Sequence, residues 1–164
     1  MTDTAARHPS TYVPSPIINA LIRDRDRPIV EMAGGKAWTG GEMLAATSRL
    51  TQALQARGVV NGARVALLAG NSVEVLLLHN AIAFAGGCLV AMHPMGSADD
   101  HLFAIEDAGV EVLLYDPAKF AKRAGELRAR TNRLKTVLSL GAGEVGDDLL
   151  ALADTFDLAP LTAP

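Results

Sequence analysis

The sequence predicts an α/β domain of three layers, with helices over both faces of a mostly parallel sheet. Three observations lead there. From Arg64 onward, short apolar runs alternate with helix-spaced segments, the pattern of strands joined by helical crossovers. Hydrophobic residues make up 49% of the chain but aromatics only 4%, so the core must be built from Leu, Val, Ile and Ala, which suits a sheet buried on both faces. The 164 residues suffice for one ordinary domain, which commonly holds roughly 100–150 residues.

The elements follow in order. Met1 to Pro14 reads as a loose leader, and 15–164 as a single domain. Pro16 suits a first helical turn, with Ile17, Ile18, Leu21 and Ile22 at helical spacing behind it. Ile29 to Met32 and Lys36 to Thr39 read as two short strands around Gly34-Gly35. Thr39 and Glu42 have capping-box spacing, so a helix starts there and presents Met43, Leu44, Thr47, Leu50 and Leu54, until Gly58 stops it. Arg64 to Ala69 is a buried strand, and Asn71 or Ser72 caps a helix running to about Ala85. Cys88 to Met92 reads as a second buried strand. Ser97 caps the next helix and Gly109 ends it. Val110 to Tyr115 is a third strand, Pro117 opens a helix to about Arg130, Thr136 to Leu140 is a fourth strand, and Asp147 to Asp154 is a short helix. No fixed-period repeat is visible.

Composition excludes several function classes. The net charge of −3 and the absence of a large single-sign block argue against a nucleic-acid groove. The modestly basic stretch Lys119 to Lys135 also carries Glu126 and reads as a solvated helix face. Cys88 is the single cysteine, so no intrachain disulfide forms, and its apolar neighbours predict a buried thiol in a cytoplasmic protein. Met1 to Ser10 lacks the apolar core of a signal peptide. The longest apolar stretch, Val73 to Met92, is broken by Glu74, His79, Asn80 and Gly86-Gly87, so no transmembrane segment is expected.

Four motifs invite a chemical reading. Gly141-Ala142-Gly143-Glu144-Val145-Gly146 is a literal G-x-G-x-x-G between a predicted strand and a predicted helix, the context in which a helix N-terminus meets a pyrophosphate. Against it, Glu144, Asp147 and Asp148 place carboxylates where phosphates would sit. Asn71 stands at a strand end, where doubly wound sheets gather ligands, and equally suits a cap. His93, in the turn His93-Pro94-Met95-Gly96, could line a pocket or relay a proton. His93, Asp99, Asp100 and His101 lack the i, i+4 histidine pair of a helical metal site, and Asp99 and Asp100 suit an acidic first turn instead. No nucleophile elbow, zinc-protease helix or Walker loop is present.

The order of the segments carries a resemblance. Pro28-Ile29-Val30 precedes Trp38-Thr39-Gly40-Gly41-Glu42-Met43, then Ala53-Leu54 with Gly58-Val59 and Gly62-Ala63-Arg64-Val65. Asn71-Ser72-Val73-Glu74 follows, then Ala85-Gly86, then Leu89 to Pro94, then Ile105, Asp107, Gly109, Val110 and Leu113. In this order the chain resembles the N-terminal region of the adenylate-forming superfamily, the AMP-forming acyl-CoA synthetases and their relatives, over roughly Pro28 to Pro117. Its turn at His93 and its alanine-rich style look like an actinobacterial fatty-acyl-CoA ligase. Ala63 stands where the family has aspartate, and His93 where it has asparagine.

The resemblance implies a two-step reaction. A fatty acid's carboxylate attacks the α-phosphate of ATP with Mg²⁺ present, and the thiol of CoA then displaces AMP. The family's Ser/Thr/Gly-rich phosphate loop ending in Pro-Lys-Gly is not found in these 164 residues and is expected beyond Pro164. The chain alone is therefore expected to be inactive, with no catalytic, cofactor or metal residue of its own and with the rest of the synthetase as its partner. Some members place a basic residue after the turn to meet CoA phosphate; Met95 stands there instead. Asn71, His93 and Met95 are the candidates for lining a substrate cleft. Two other readings stay open: a freestanding α/β binding module, and a small nucleotide-binding domain using Gly141 to Gly146. Surface left uncovered makes a homo-oligomer an expectation too.

Overall fold

The computed structural model describes residues 14–33 and 35–162; the expected leader before Pro14 and Gly34 of the hairpin turn lie outside them. Helix α1 (Ser15–Arg23) leads to a two-stranded antiparallel hairpin, β1 (Pro28–Glu31) and β2 (Ala37–Thr39). Helix α2 (Gly40–Ala56) starts on the predicted capping box. The Glu42 backbone N–H donates to Thr39 Oγ1 at 3.2 Å, and the Thr39 N–H donates to Glu42 Oε2 at 2.9 Å. The rest of the chain builds a second, larger sheet from β3 (Arg64–Leu68), β4 (Cys88–Ala91), β5 (Val112–Tyr115), β6 (Thr136–Ser139) and β7 (Asp147–Asp148). Between these run α3 (Val73–Phe84), α4 (Ala98–Ala108) and α5 (Pro117–Arg130), with α6 (Leu149–Ala153) after β7.

All described pairings in the five-stranded sheet are parallel, in the order β4-β3-β5-β6-β7. Alternate side chains of each strand point to opposite faces and so feed two cores. Val65, Leu67, Val112, Leu114 and Leu138 join residues of α1, α2, α3 and α6 on one face. Ala66, Leu68, Leu113, Tyr115 and Val137 join Ile105 of α4 and Ala124 and Leu127 of α5 on the other. The expected three-layer α/β architecture is thereby present. The chain steps from β3 outward to β4 through α3, then returns past β3 to β5 through α4. Right-handed crossovers in the two directions place α3 and α5 on opposite faces.

Four sequence-based expectations need correction. Cys88 is exposed, because the strand order puts β4 at the sheet edge, where among the described residues it pairs with β3 alone and Leu89 and Val90 are half-buried. Asn71 does not cap α3: Ser72 does, its Oγ accepting from the Val75 N–H at 3.3 Å, while Asn71 is exposed. The strand before the glycine loop is not the last in the chain, since Asp147 and Asp148 pair with Leu138 and Ser139 as β7. The helix expected from Asp147 is correspondingly shorter and begins at Leu149. Among the described residues no helix is long and apolar enough to cross a membrane.

Candidate functional site

The strand order decides where a ligand crevice can form. In a doubly wound sheet the crevice opens outside the carboxyl ends of the two strands between which the winding reverses. Here those strands are β3 and β5, adjacent and parallel, with Leu68 beside Tyr115. A cavity of about 300 Å³ lies there, lined by Gly70, Asn71 and Ser72 after β3, Asp116 and Lys119 after β5, and Leu140 after β6. Glu74 and Leu150 complete its wall.

Local chemistry positions each group. The Asp116 N–H donates to Leu68 O at 3.1 Å and the Leu140 N–H to Tyr115 O at 2.9 Å, so the strand ends are tied edge to edge. Ser72 caps α3, and Asp116 caps α5 by accepting from the Ala118 N–H at 3.0 Å. Both helices therefore enter from the crevice floor. Gly70 leaves room for the Lys119 ammonium: a Cβ there would stand 2.8 Å from Nζ. Asn71 offers an amide to solvent at the rim. The lining includes no His or Cys. Its polar groups can orient a ligand.

His93 and Met95 sit elsewhere, in the turn after edge strand β4. His93 Nδ1 accepts from the Met95 N–H at 3.1 Å, and His93 O accepts from the Gly96 N–H at 2.9 Å. His93 is exposed and Met95 is 85% exposed. The structure thus brings Asn71 into the switch-point crevice and leaves His93 and Met95 on an adjacent rim. His101 is the histidine held by a specific network. It is buried, its Nε2 lies 2.8 Å from His93 O, and Arg123 Nη1 lies 2.9 Å from its Nδ1. Arginine only donates, so Nδ1 accepts and the Nε2–H donates to His93 O.

The glycine-rich loop is organised for folding. Tyr115 Oη donates to Val145 O at 2.8 Å and accepts from the Val145 N–H at 3.3 Å, which pins the loop to β5. The N-terminus of α6 is filled by Asp148 Oδ1, which accepts from Leu150 and Ala151 at 2.9 and 3.1 Å. A phosphate would find those donors already used. The acidic residues near His93 are engaged as well: Asp100 completes the capping box of α4 by accepting from the Ser97 N–H at 2.9 Å, and Asp99 pairs with Arg130 at 2.6 Å. Among the described residues no group of three or more His, Cys, Asp or Glu is gathered around a metal-sized point.

Sequence reasoning missed Lys119 and Asp116 as lining residues. Asp116-Pro117 is a strand-end and helix-start signal like Asn71-Ser72, but only the strand order shows that these two turns adjoin.

Comparison with known proteins places this geometry. The family model described as AMP-binding enzyme matches residues 19–160. The medium/long-chain-fatty-acid–CoA ligase FadD8 of Mycobacterium tuberculosis is 33% identical over 153 residues, covering 90% of this chain and 27% of that protein. The amide bond synthetase McbA from Marinactinospora thermotolerans superposes with a TM-score of 0.75 at 27% identity, over 91% of this chain and 29% of its own. ATP-bound MatB from Rhodopseudomonas palustris superposes with a TM-score of 0.72 at 28% identity, over 89% of this chain and 29% of its own. The chain thus spans about a quarter of the length of the curated relative.

Proposed function

This chain belongs to the AMP-binding enzyme family, and we propose that it forms the N-terminal part of a fatty-acyl-CoA ligase that works through an acyl-adenylate. The observation that carries the reading is the match of the family model along residues 19–160, nearly the whole described chain. The similarity to a medium/long-chain-fatty-acid–CoA ligase supports the fatty-acid substrate class.

In this reaction a carboxylate oxygen attacks the α-phosphorus of ATP and pyrophosphate leaves. The CoA thiolate then attacks the acyl carbonyl and AMP leaves. The part assigned to these residues is architectural. The parallel sheet sets the strand ends, Ser72 and Asp116 hold the two helix starts, and Asn71 and Lys119 face the crevice between them. Mg²⁺ typically takes one or two carboxylates plus phosphate oxygens. One Asp116 oxygen is engaged in its cap, and Glu74 is the second carboxylate lining the crevice. ATP, Mg²⁺ and CoA are assigned to the remainder of the synthetase, and so is the catalytic work. The setting of this reading is the cytoplasm.

The test is carboxylate-dependent ATP–pyrophosphate exchange, run on the 164-residue chain and on the product of the whole reading frame that carries it, with fatty acids of graded length. The expected result is exchange and acyl-CoA formation by the longer product and none by the chain alone. A longer product that folds and shows no exchange with any carboxylate would overturn the ligase reading. Exchange by the chain alone would overturn its assigned inactivity.

A further inference from the structure

We propose that His101 is a pH-sensitive latch: its neutral ring lets Arg123 tie the turn after β4 to α5, and one proton on the ring releases that tie. The proposal does not depend on the ligase reading and would survive its failure.

The latch begins with burial. His101 is the buried histidine among the described residues, 3% exposed, whereas His79 and His93 are exposed. It follows the Ser97 cap at the start of α4. Both of its ring nitrogens are spent. Nε2 donates to His93 O at 2.8 Å, and Nδ1 accepts from Arg123 Nη1 at 2.9 Å. The ring is also confined. A Cβ on Gly96 would stand 2.7 Å from Nε2 and 3.0 Å from Cδ2, so the turn closes directly over the imidazole.

A single guanidinium nitrogen carries the tie. Arg123 Nη1 donates to His101 Nδ1 and also to Gly96 O, the latter at 3.0 Å. Arginine has donors and no acceptor. A proton on Nδ1 would therefore set two N–H groups and two positive charges against each other at hydrogen-bond distance, with no acceptor between them. The ring is enclosed and the Arg123 side chain is 28% exposed, so the guanidinium is the group free to move. Glu126, 3.5 Å from Arg123 Nε, holds it in its new place. When Nη1 leaves, Gly96 O loses its donor in the same step. One proton thus breaks both bonds.

The surrounding charges let the ring take that proton. On α4, Asp100 is held below the ordinary carboxylate range by the Ser97 hydroxyl, next by the Ser97 backbone N–H, and also by charge on His101, an attraction that equally favours the charged ring. Asp99 is paired with Arg130 at 2.6 Å. From α5, Lys119 and Lys122 line the space beside the turn together with Arg123 and Glu126. From the turn, His93 directs its Nδ1 to the Met95 N–H at 3.1 Å. The latched arrangement has no place for a proton on Nδ1 and the released one does. The latch is therefore complete above the imidazole range and is lost as pH falls through it. The opening is local: β4 stays paired with β3 from Cys88 to Ala91, and the turn bearing His93 and Met95 comes free.

The test is NMR of the ¹⁵N-labelled 164-residue chain from about pH 8 to about pH 5, a span across the ordinary imidazole value of about 6.5. Ring-nitrogen shifts report the proton on His101. Solvent exchange of the Gly96 amide, corrected for the intrinsic rate at each pH, reports the turn. Gly96 protection is expected to fall about tenfold in step with His101 protonation, the order set by one hydrogen bond to a charged group. Amides of β3 and β5 are expected to keep theirs. His101→Gln, which does not titrate, is expected to give a flat profile. Arg123→Met is expected to show the acid value of Gly96 protection already at neutral pH. A His101 ring that stays neutral down to the acid limit overturns the proposal. So does Gly96 protection that ignores the ring's titration, or an acid step that survives in His101→Gln and disappears in His93→Asn.

Discussion

His101 joins two elements through one imidazole. It accepts from Arg123 and donates to His93 O, so it links α5 to the turn after β4 from a buried position on α4. His101→Ala removes both bonds and leaves Arg123 held by Gly96 O and Glu126. A loss of about 1–3 kcal/mol is expected by thermal unfolding, the usual range when a buried partner is deleted. Faster amide exchange at Gly96, whose N–H is held by His93 O, should accompany it. Glycine positions separate two other costs. Gly58 and Gly86 both have φ near +90°, at 88° and 89°. A Cβ on Gly58 meets nothing within 4 Å, whereas one on Gly86 stands 2.9 Å from the Asn61 backbone. Gly58→Ala should cost about 1 kcal/mol of conformational strain. Gly86→Ala should cost clearly more in the same denaturant titration, because a backbone must move as well.

Capping decides where the helices of this chain begin, and it ties their stability to pH. Thr39→Ala and Ser97→Ala should each cost about 1 kcal/mol, read by chemical denaturation. The bond from Lys36, and next the Thr39 backbone N–H, hold the Glu42 carboxyl below its ordinary range. The Ser97 hydroxyl, and next the Ser97 backbone N–H, do the same for Asp100. A carboxyl with a lowered folded pKa adds stability that is complete at neutral pH and is lost as pH falls through the unfolded and then the folded value. Stability should therefore fall below about pH 4.5, where ordinary carboxyls begin to protonate, with a smaller fall in Glu42→Gln. An acid titration showing the same decline in that variant would remove Glu42 from the account. Edge strand β4 yields a separate expectation. Cys88 is exposed, so a thiol reagent should label it in the native state without denaturant. Protection until unfolding would mean that another surface covers the edge.

At the scale of the whole molecule, the two cores share one sheet, so damage to either reaches the crevice. Leu114 is fully buried between Leu67 and Leu138 in the central strands. Leu114→Ala should cost about 2–5 kcal/mol in a denaturation curve and loosen the strand ends that shape the crevice. The elements themselves were legible along the chain because their signals are local. Thr39 with Glu42, Ser97 with Asp100, Pro117 and Gly109 mark helix ends by bonds that span a turn or less. The family was legible for the same reason, since its motifs are mostly caps, turns and buried strands in a set order. The exposure of Cys88, the partnership of His101 with Arg123, and the meeting of Asn71 with Lys119 were not. By itself the sequence determined the alternation of strand and helix, the capped helix starts and the family. Only the tertiary structure decided that β4 lies at the edge, that β3 and β5 adjoin at a switch point, and that the cations of α5 face the turn at Pro94. The reason is physical: caps and periodicity act across a few residues of one segment. Strand order and the crevice arise from parallel pairing between segments some 50 residues apart, Leu68 with Tyr115, which no local pattern encodes.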